Sequence, residues 1–219
     1  MSKDTKKKNK RDPFDYYPTP DWAVMRFLEK AHRRFKPGTW IEPSAGHGAI
    51  IRVVNEFYEN KDFDIDWKCV ELQKKFRPHL LKVSNDVQIK DYKDYKHTGK
   101  SAAVCITNPP YKEAEAIIKH ARAHSDVVVM LLRVNFLASE RRQVWLSKDT
   151  PDVYVLPNRP SFRWKGTDAT EYGFFVWDSS NAGKIQILDS TPGKVRSDEK
   201  KETKKFLIEN NLIEAPKNE

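Results

Sequence analysis

The sequence predicts an α/β protein with a doubly wound, mostly parallel seven-stranded sheet that finishes in an antiparallel strand pair. Three observations predict it. Short apolar runs alternate with longer segments whose apolar residues recur three and four apart, the pattern of strands joined by covering helices. Two runs, Ser101 to Thr107 and Asp126 to Leu132, are apolar nearly throughout, as strands buried on both faces are. The last two runs, Glu171 to Trp177 and Lys184 to Leu188, are separated only by the turn-forming stretch Asp178 to Gly183, which suits an antiparallel return.

Thr19-Pro20 opens the first helix, with a hydroxyl for the N-cap and a proline at the first helical position. Val24, Phe27, Leu28 and Ala31 form its apolar face, and Pro37-Gly38 ends it. Thr39 to Glu42 is a short strand, followed by a glycine-bearing turn and a helix with Ile50, Ile51, Val54 and Phe57 on one face. Asp64 to Leu72 is the second strand, Lys74 to Lys82 a helix, and Val87 to Lys90 a weak third strand before Asp91-Tyr92. The run Ser101 to Thr107 ends at Asn108, and Ala114, Ile117, Ile118 and Ala121 line one side of a helix from Glu113 to His124. After the strand Asp126 to Leu132 come a helix from Ser139 to Ser147 and a strand from Val153 to Leu156.

A chain of 219 residues suits one large domain and can bury a core without metal or disulfide support. Residues 1–12 read as a basic disordered arm, 13–190 as the folded domain, and 191–219 as a charged tail in which Phe206, Leu207 and Leu212 are the anchors for a final helix. Lys and Arg outnumber Asp and Glu by 40 to 31, giving a net charge of +9 and a pI near 9.4. That balance favours an anionic partner, nucleic acid first, with simple solubility as the alternative. Cys69 and Cys105 each sit inside an apolar run, so buried reduced thiols are expected, in a reducing compartment such as the cytoplasm. The basic start has no apolar stretch behind it, which argues against secretion and membrane spanning. The histidines are scattered without metal-ligand spacing, so no metal is expected, and His47 reads as solvent-facing or helix-capping rather than catalytic.

Two clusters carry chemistry, and both fall at strand ends, where doubly wound sheets hold ligands. Glu42-Pro43-Ser44-Ala45-Gly46-His47-Gly48 follows the first strand, and its glycines permit positive φ and close backbone approach to a ligand. Glu71 lies 23 residues after Gly48 at the end of the second strand, a spacing that fits a carboxylate on ribose hydroxyls. The turn holds no positive cluster, so an adenosine without phosphates fits better than a pyrophosphate. The second cluster is Asn108-Pro109-Pro110-Tyr111, a tetrapeptide expected by chance in on the order of one in a thousand chains of this length. It offers an amide carbonyl and a proline carbonyl as acceptors on a stiff turn, and a tyrosine as a stacking plate. Farther on, Arg159 to Gly166 (RPSFRWKG) interleaves cations with aromatics as nucleic-acid channels do.

Together these motifs resemble the S-adenosylmethionine-dependent DNA adenine-N6 methyltransferases, in the gamma-type motif order, over roughly residues 14 to 177. The resemblance implies a Rossmann-like catalytic domain that transfers a methyl group from S-adenosyl-L-methionine to adenine N6 in duplex DNA, with the adenine flipped out. It makes Phe14, Tyr17 and Thr19 the segment closing over the methionine end of the cofactor, with Thr19 near its carboxylate. Glu42, Pro43, Ser44, Ala45, Gly46 and Gly48 become the cofactor loop, Glu71 the ribose carboxylate, and Asp91 with Tyr92 the adenine contacts, although Asp94-Tyr95 repeats that pair. It makes Asn108, Pro109, Pro110 and Tyr111 the catalytic group and Phe162 the second stacking aromatic, with Trp164 competing. Cytosine-N4 relatives usually carry Ser where Asn108 stands. Arg159, Arg163 and Lys165 are the expected phosphate contacts; Arg133, Asn135, Arg141, Arg142 and the 159–170 loop are candidates for sequence reading, along with the C-terminal tail and the basic arm. Larger relatives add a target-recognition domain, so target reading here is expected to be compact or shared. Protein-glutamine and RNA-adenine methylation by the same tetrapeptide are the enzymatic rivals, and an inert nucleic-acid-binding module is the non-enzymatic one.

Overall fold

The computed structural model describes residues 17–97, 101–162 and 169–213. The strands are β1 (Gly38–Glu42), β2 (Ile65–Glu71), β3 (Asp86–Ile89), β4 (Ala102–Thr107), β5 (Ser125–Arg133), β6 (Asp152–Val155), β7 (Tyr172–Trp177) and β8 (Ile185–Ile187). The α-helices are α1 (Asp21–Ala31), α2 (Ala49–Tyr58), α3 (Arg77–Leu80), α4 (Ala114–Arg122), α5 (Glu140–Leu146) and α6 (Gly193–Glu209). The eight strands form one sheet in the order β3-β2-β1-β4-β5-β7-β6-β8. Pairing is parallel from β3 to β5, antiparallel on both edges of β7, and parallel again between β6 and β8. The doubly wound class therefore holds, with one strand more than the seven expected. The chain order reverses between β1 and β4, the switch point where such sheets open a crevice beyond their carboxyl ends.

Side chains alternate across this sheet, and both faces are buried. Trp40, Val104, Val129 and Phe174 point to one core, while their sequence neighbours Ile41, Cys105, Val128 and Phe175 point to the other. Cys69 and Cys105 fall on opposite faces, both buried and free, and burial pushes each thiol up to about 12. No helix among the described residues is long and apolar enough to cross a membrane.

Two local expectations change. The strands expected as a terminal pair do not touch: β6 lies between β7 and β8. The cause is Asp152 at the start of β6, whose Oδ1 accepts from the Ala182 and Lys184 amides at 2.9 and 2.8 Å and draws the link after β7 past β6. Gly173 lets β7 press on β6, since a Cβ there would sit 2.8 Å from the Tyr154 carbonyl oxygen. Helix α1 begins one residue later than expected, with Pro20 as its N-cap and no side-chain cap from Thr19. The exposed N-terminal amides are taken instead by Glu199 of α6, whose Oε1 and Oε2 accept from Asp21 and Trp22 at 2.7 and 3.0 Å. Burial, with Asp21 beside it, pushes the Glu199 carboxyl up to about 7. Helix α6 is held at its far end by Leu207 and Leu212 in the core.

Arg34, after α1, ties the antiparallel end of the sheet together: Nη1 meets Asp152 Oδ2 at 2.6 Å and Nε meets Asp178 Oδ2 at 2.9 Å. Burial alone would raise both carboxyls, but donated hydrogen bonds, including those from Arg34, outweigh it and hold both below their ordinary value. Arg34→Ala leaves two buried carboxylates without their cation and is expected to cost about 3–5 kcal/mol in urea unfolding at pH 7. Because the folded-state values are depressed, the contribution is complete above the unfolded-state pKa of about 3.9 and is lost as pH falls through the lower folded values. The stability gap between wild type and variant is therefore expected to narrow below about pH 4.

Candidate active site

Glu42 ends β1, and the chain turns through Gly46 and Gly48, with φ of 53° and 83°, into α2. A side chain at Gly48 would need the left-handed region and would place its Cβ 3.3 Å from Val83 Cγ2, so this turn requires glycine there. Glu71, at the end of β2, shapes the turn from beneath: Oε2 accepts from the Gly46 amide and Oε1 from the Gln73 amide, both at 2.7 Å. Its carboxyl is raised by burial, with the backbone donors and Lys75 pulling the other way. Glu42 is 2% exposed, and its Oε2 has no hydrogen-bond partner among the described residues. Burial, reinforced by Glu71, pushes the Glu42 carboxyl well above the ordinary range.

The second turn follows the adjacent strand β4. Asn108 Nδ2 donates to the Tyr17 carbonyl at 3.1 Å, which orients the amide and leaves its carbonyl oxygen as the acceptor. The Pro110 carbonyl accepts from the Glu113 amide at 2.9 Å at the entry to α4. The Pro109 carbonyl receives no hydrogen bond among the described residues. The two turns, the Tyr17-Pro18-Thr19 segment, Glu71, and Asp91-Tyr92 beyond β3 line one continuous cavity.

Most of the residues singled out from the sequence therefore converge: Tyr17, Thr19, Glu42 to Gly46, Glu71, Asp91, Tyr92, Asn108 and Pro110 all line this cavity. Gly48 and Pro109 belong to the same two turns. Asp91 lines the wall and Asp94 does not; Tyr92 is buried, with its hydroxyl on His97 Nε2 at 3.3 Å, so only its ring serves the cavity. Phe14, Arg163, Trp164 and Lys165 lie outside the described residues. Tyr111 stands beside Tyr17, with ring centroids 6.4 Å apart and planes at 16°, and the Arg133 guanidinium lies 5.0 Å from its ring centroid. Phe162 is not on the cavity wall: it is 3% exposed and meets Tyr172 edge-on at 5.0 Å in the core. Arg159 pairs with Glu171 at the surface.

His47 is also not solvent-facing. It lines the cavity at 8% exposure, with its pKa lowered to about 3 by burial and by the neighbouring Arg52 and His79. Leu72, Gln73 and Lys90 enter through the ends of β2 and β3 and carry no motif; they also line the wall, as do Ala49 and Ile50 of α2 and Glu113 and Ile117 at α4. The expectation of scattered histidines fails as well, since His97, His120 and His124 place ring nitrogens within 4.8 Å of one another. The overlooked signal is the i, i+4 spacing of His120 and His124 around the end of α4. His97 and His124 stack face to face at 4.1 Å and 13°, so their in-plane lone pairs do not converge on one point. Burial, then His124 and His120, lowers the His97 pKa to about 4.

No protein-family model and no curated protein matches the sequence. Solved structures do. The methyltransferase subunit of a type I restriction-modification system from Streptococcus thermophilus superposes with a TM-score of 0.61 at 13% identity, covering 89% of this chain and 52% of that one. A candidate class I S-adenosylmethionine-dependent methyltransferase from Listeria monocytogenes gives 0.58 at 12% identity, covering 87% and 68%. The 23S rRNA methyltransferase ErmE gives 0.55 at 12% identity, covering 86% and 78%. The chain has the Rossmann-like methyltransferase fold. It spans about half the length of the restriction-modification subunit.

Glu71→Ala is expected to leave the buried Gly46 amide without an acceptor, costing about 1–3 kcal/mol with no ligand present. Thermal unfolding of the ligand-free variant measures this loss, and an unchanged midpoint would remove Glu71 from its shaping role.

Proposed function

We propose that this protein transfers a methyl group from S-adenosyl-L-methionine to the N6 amino group of adenine in DNA. The observation that carries the reading is the single cavity shared by the Glu42–Gly48 turn with Glu71 and by the Asn108–Pro110 turn. The fit to the donor rests on the residues present. Glu71 offers further lone pairs to a pair of ribose hydroxyls, Asp91 and Tyr92 flank a planar ring, and Thr19 with the unpartnered Glu42 Oε2 provides polar groups for an amino acid end. When bound, this donor supplies an electrophilic methyl on a sulfonium, whose carbon–sulfur bond breaks as the new carbon–nitrogen bond forms.

Adenine N6 is a weak nucleophile because its lone pair is delocalised into the ring. Two oxygens that accept its hydrogens, Asn108 Oδ1 and the Pro109 carbonyl, draw the N–H bonds toward a tetrahedral nitrogen, which localises the lone pair on it, and stabilise the positive charge that develops. Neither proline carries an amide hydrogen, so the turn offers acceptors without a competing donor. The extra proton leaves to solvent after transfer, and no strong base is required. Tyr111 is not itself on the cavity wall but follows the lining residue Pro110, and its ring, with the Arg133 guanidinium 5.0 Å from its centroid, is our candidate plate for the incoming base; such stacking contributes about 1–3 kcal/mol against the few kcal/mol that extruding a base costs.

Basic charge and fold likeness to both a restriction-modification subunit and an rRNA methyltransferase support a nucleic-acid substrate, and adenine in RNA is the second reading. Transfer of a radiolabelled methyl group to DNA, RNA and protein substrates, followed by nucleoside digestion, distinguishes these. The account expects N6-methyladenine from DNA; label on glutamine, or on no polymer, would contradict it. Asn108→Ala is expected to lower kcat by about 100–1000-fold while donor affinity measured by calorimetry survives. Tyr111→Ala is expected to raise KM for the nucleic acid more than it weakens donor binding. Retained turnover in the first variant would remove Asn108 from its role.

A further inference from the structure

A second groove opens on the other side of the Tyr17–Trp22 segment. Its walls are α6, the residues Pro18, Thr19, Pro20 and Trp22, and Arg159 with Ser161, and it adjoins the candidate active site because Pro18 and Thr19 line both. Arg159, Ser161, Arg196, Ser197, Lys200 and Thr203 supply its polar groups. The α6 residues recur at positions 196, 200 and 203, one face of the helix, so a stripe of cations and hydroxyls is turned into the groove. Among the described residues Glu199 is the only acid in the lining, and both its oxygens are engaged by the first amides of α1, an end of the helix that favours negative charge.

Arg159, Arg196 and Lys200 thus line the groove with Glu199, whose oxygens face α1, beside the candidate active-site cavity. Arg196 is anchored through Nε to the Thr191 carbonyl at 2.9 Å, which directs its terminal nitrogens without occupying them. The partner of Arg159, Glu171, is half-exposed, and such a surface pair is worth little, so a phosphate can replace it.

We propose that this groove is a phosphodiester-binding site that holds the substrate strand next to the extruded base; the assignment rests on the nucleic-acid reading given above. It places substrate contacts on α6, a segment distant in sequence from every motif of the catalytic fold. Phosphate contacts fix register without reading bases, so the site contributes affinity and salt dependence rather than sequence preference.

The test is fluorescence anisotropy of the full chain with a labelled adenine-containing oligonucleotide across a series of KCl concentrations, alongside methyl transfer to the same oligonucleotide. Each phosphate contact contributes about 0.7–0.9 to the slope of log affinity against log salt. Arg196→Gln/Lys200→Gln is expected to shallow the slope by about 1.4–1.8 and to raise KM by at least about 10-fold, with donor affinity unchanged. Lys201→Gln/Lys205→Gln removes the same charge from α6 outside the groove and is expected to shallow the slope by less than half as much. Should the groove variant fail to fold, Arg196→Lys/Lys200→Arg and Arg159→Gln carry the comparison, the first keeping the wild-type slope and the second losing about one contact. If wild type methylates the oligonucleotide while groove and control variants shift the slope equally, or not at all, the groove assignment is overturned alone. If wild type methylates no nucleic acid, the substrate reading falls and the groove assignment with it.

Discussion

The hydrogen bond from the Asn108 amide to the Tyr17 carbonyl joins parts of the chain 91 residues apart, and the site depends on it. It fixes which way the amide points, so that its oxygen is an acceptor and not a donor toward the cavity. Tyr17 also stands beside Tyr111, and Thr19 two residues on lines the same cavity as the glycine turn. The parallel sheet makes this possible: β1 and β4 are neighbours, so the turns that follow them emerge at the same edge. Two chemically different turns then face one volume, one rich in glycine and one offering carbonyl acceptors.

Electrostatics gives this cavity an unfinished character. Glu42 and Glu71 are both buried at its floor, and burial raises both carboxyls. For acids raised in this way, the folded state is favoured at low pH, and stability falls as pH rises above the ordinary carboxylate value of about 4.3. Glu71 recovers part of that loss through two backbone amides, whereas Glu42 Oε2 has no protein partner among the described residues. A bound group carrying positive charge or hydroxyl donors would satisfy it. A buried carboxylate oxygen without a partner is a cost to the fold, and a ligand donor at this point would offset it.

Much of this was legible in the sequence because local signals agreed with the global fold. The apolar runs at 101–107 and 126–132 became β4 and β5, and the glycine turn and the Asn-Pro-Pro-Tyr turn lay at strand ends as their spacing implied. What was not legible came from long-range partners. Glu199 displaced Thr19 as the cap of α1 from 178 residues away, and no local pattern announces that. Asp152 inserted β6 between two strands whose connecting turn reads as a hairpin. Phe162 sits among cations in the sequence yet packs on Tyr172, because burial is decided by the sheet face beneath it. The histidine group required both a helix and a separate loop to come together.

The most direct measurement is a crystal structure of the protein with a non-transferable S-adenosylmethionine analogue. The account predicts the ribose on Glu71, the adenine between Asp91 and Tyr92, and the methyl-equivalent atom facing Asn108 across a gap that an amino nitrogen fills at about 3–3.5 Å. An analogue bound elsewhere, or oriented with its sulfur end away from Asn108, would contradict the account.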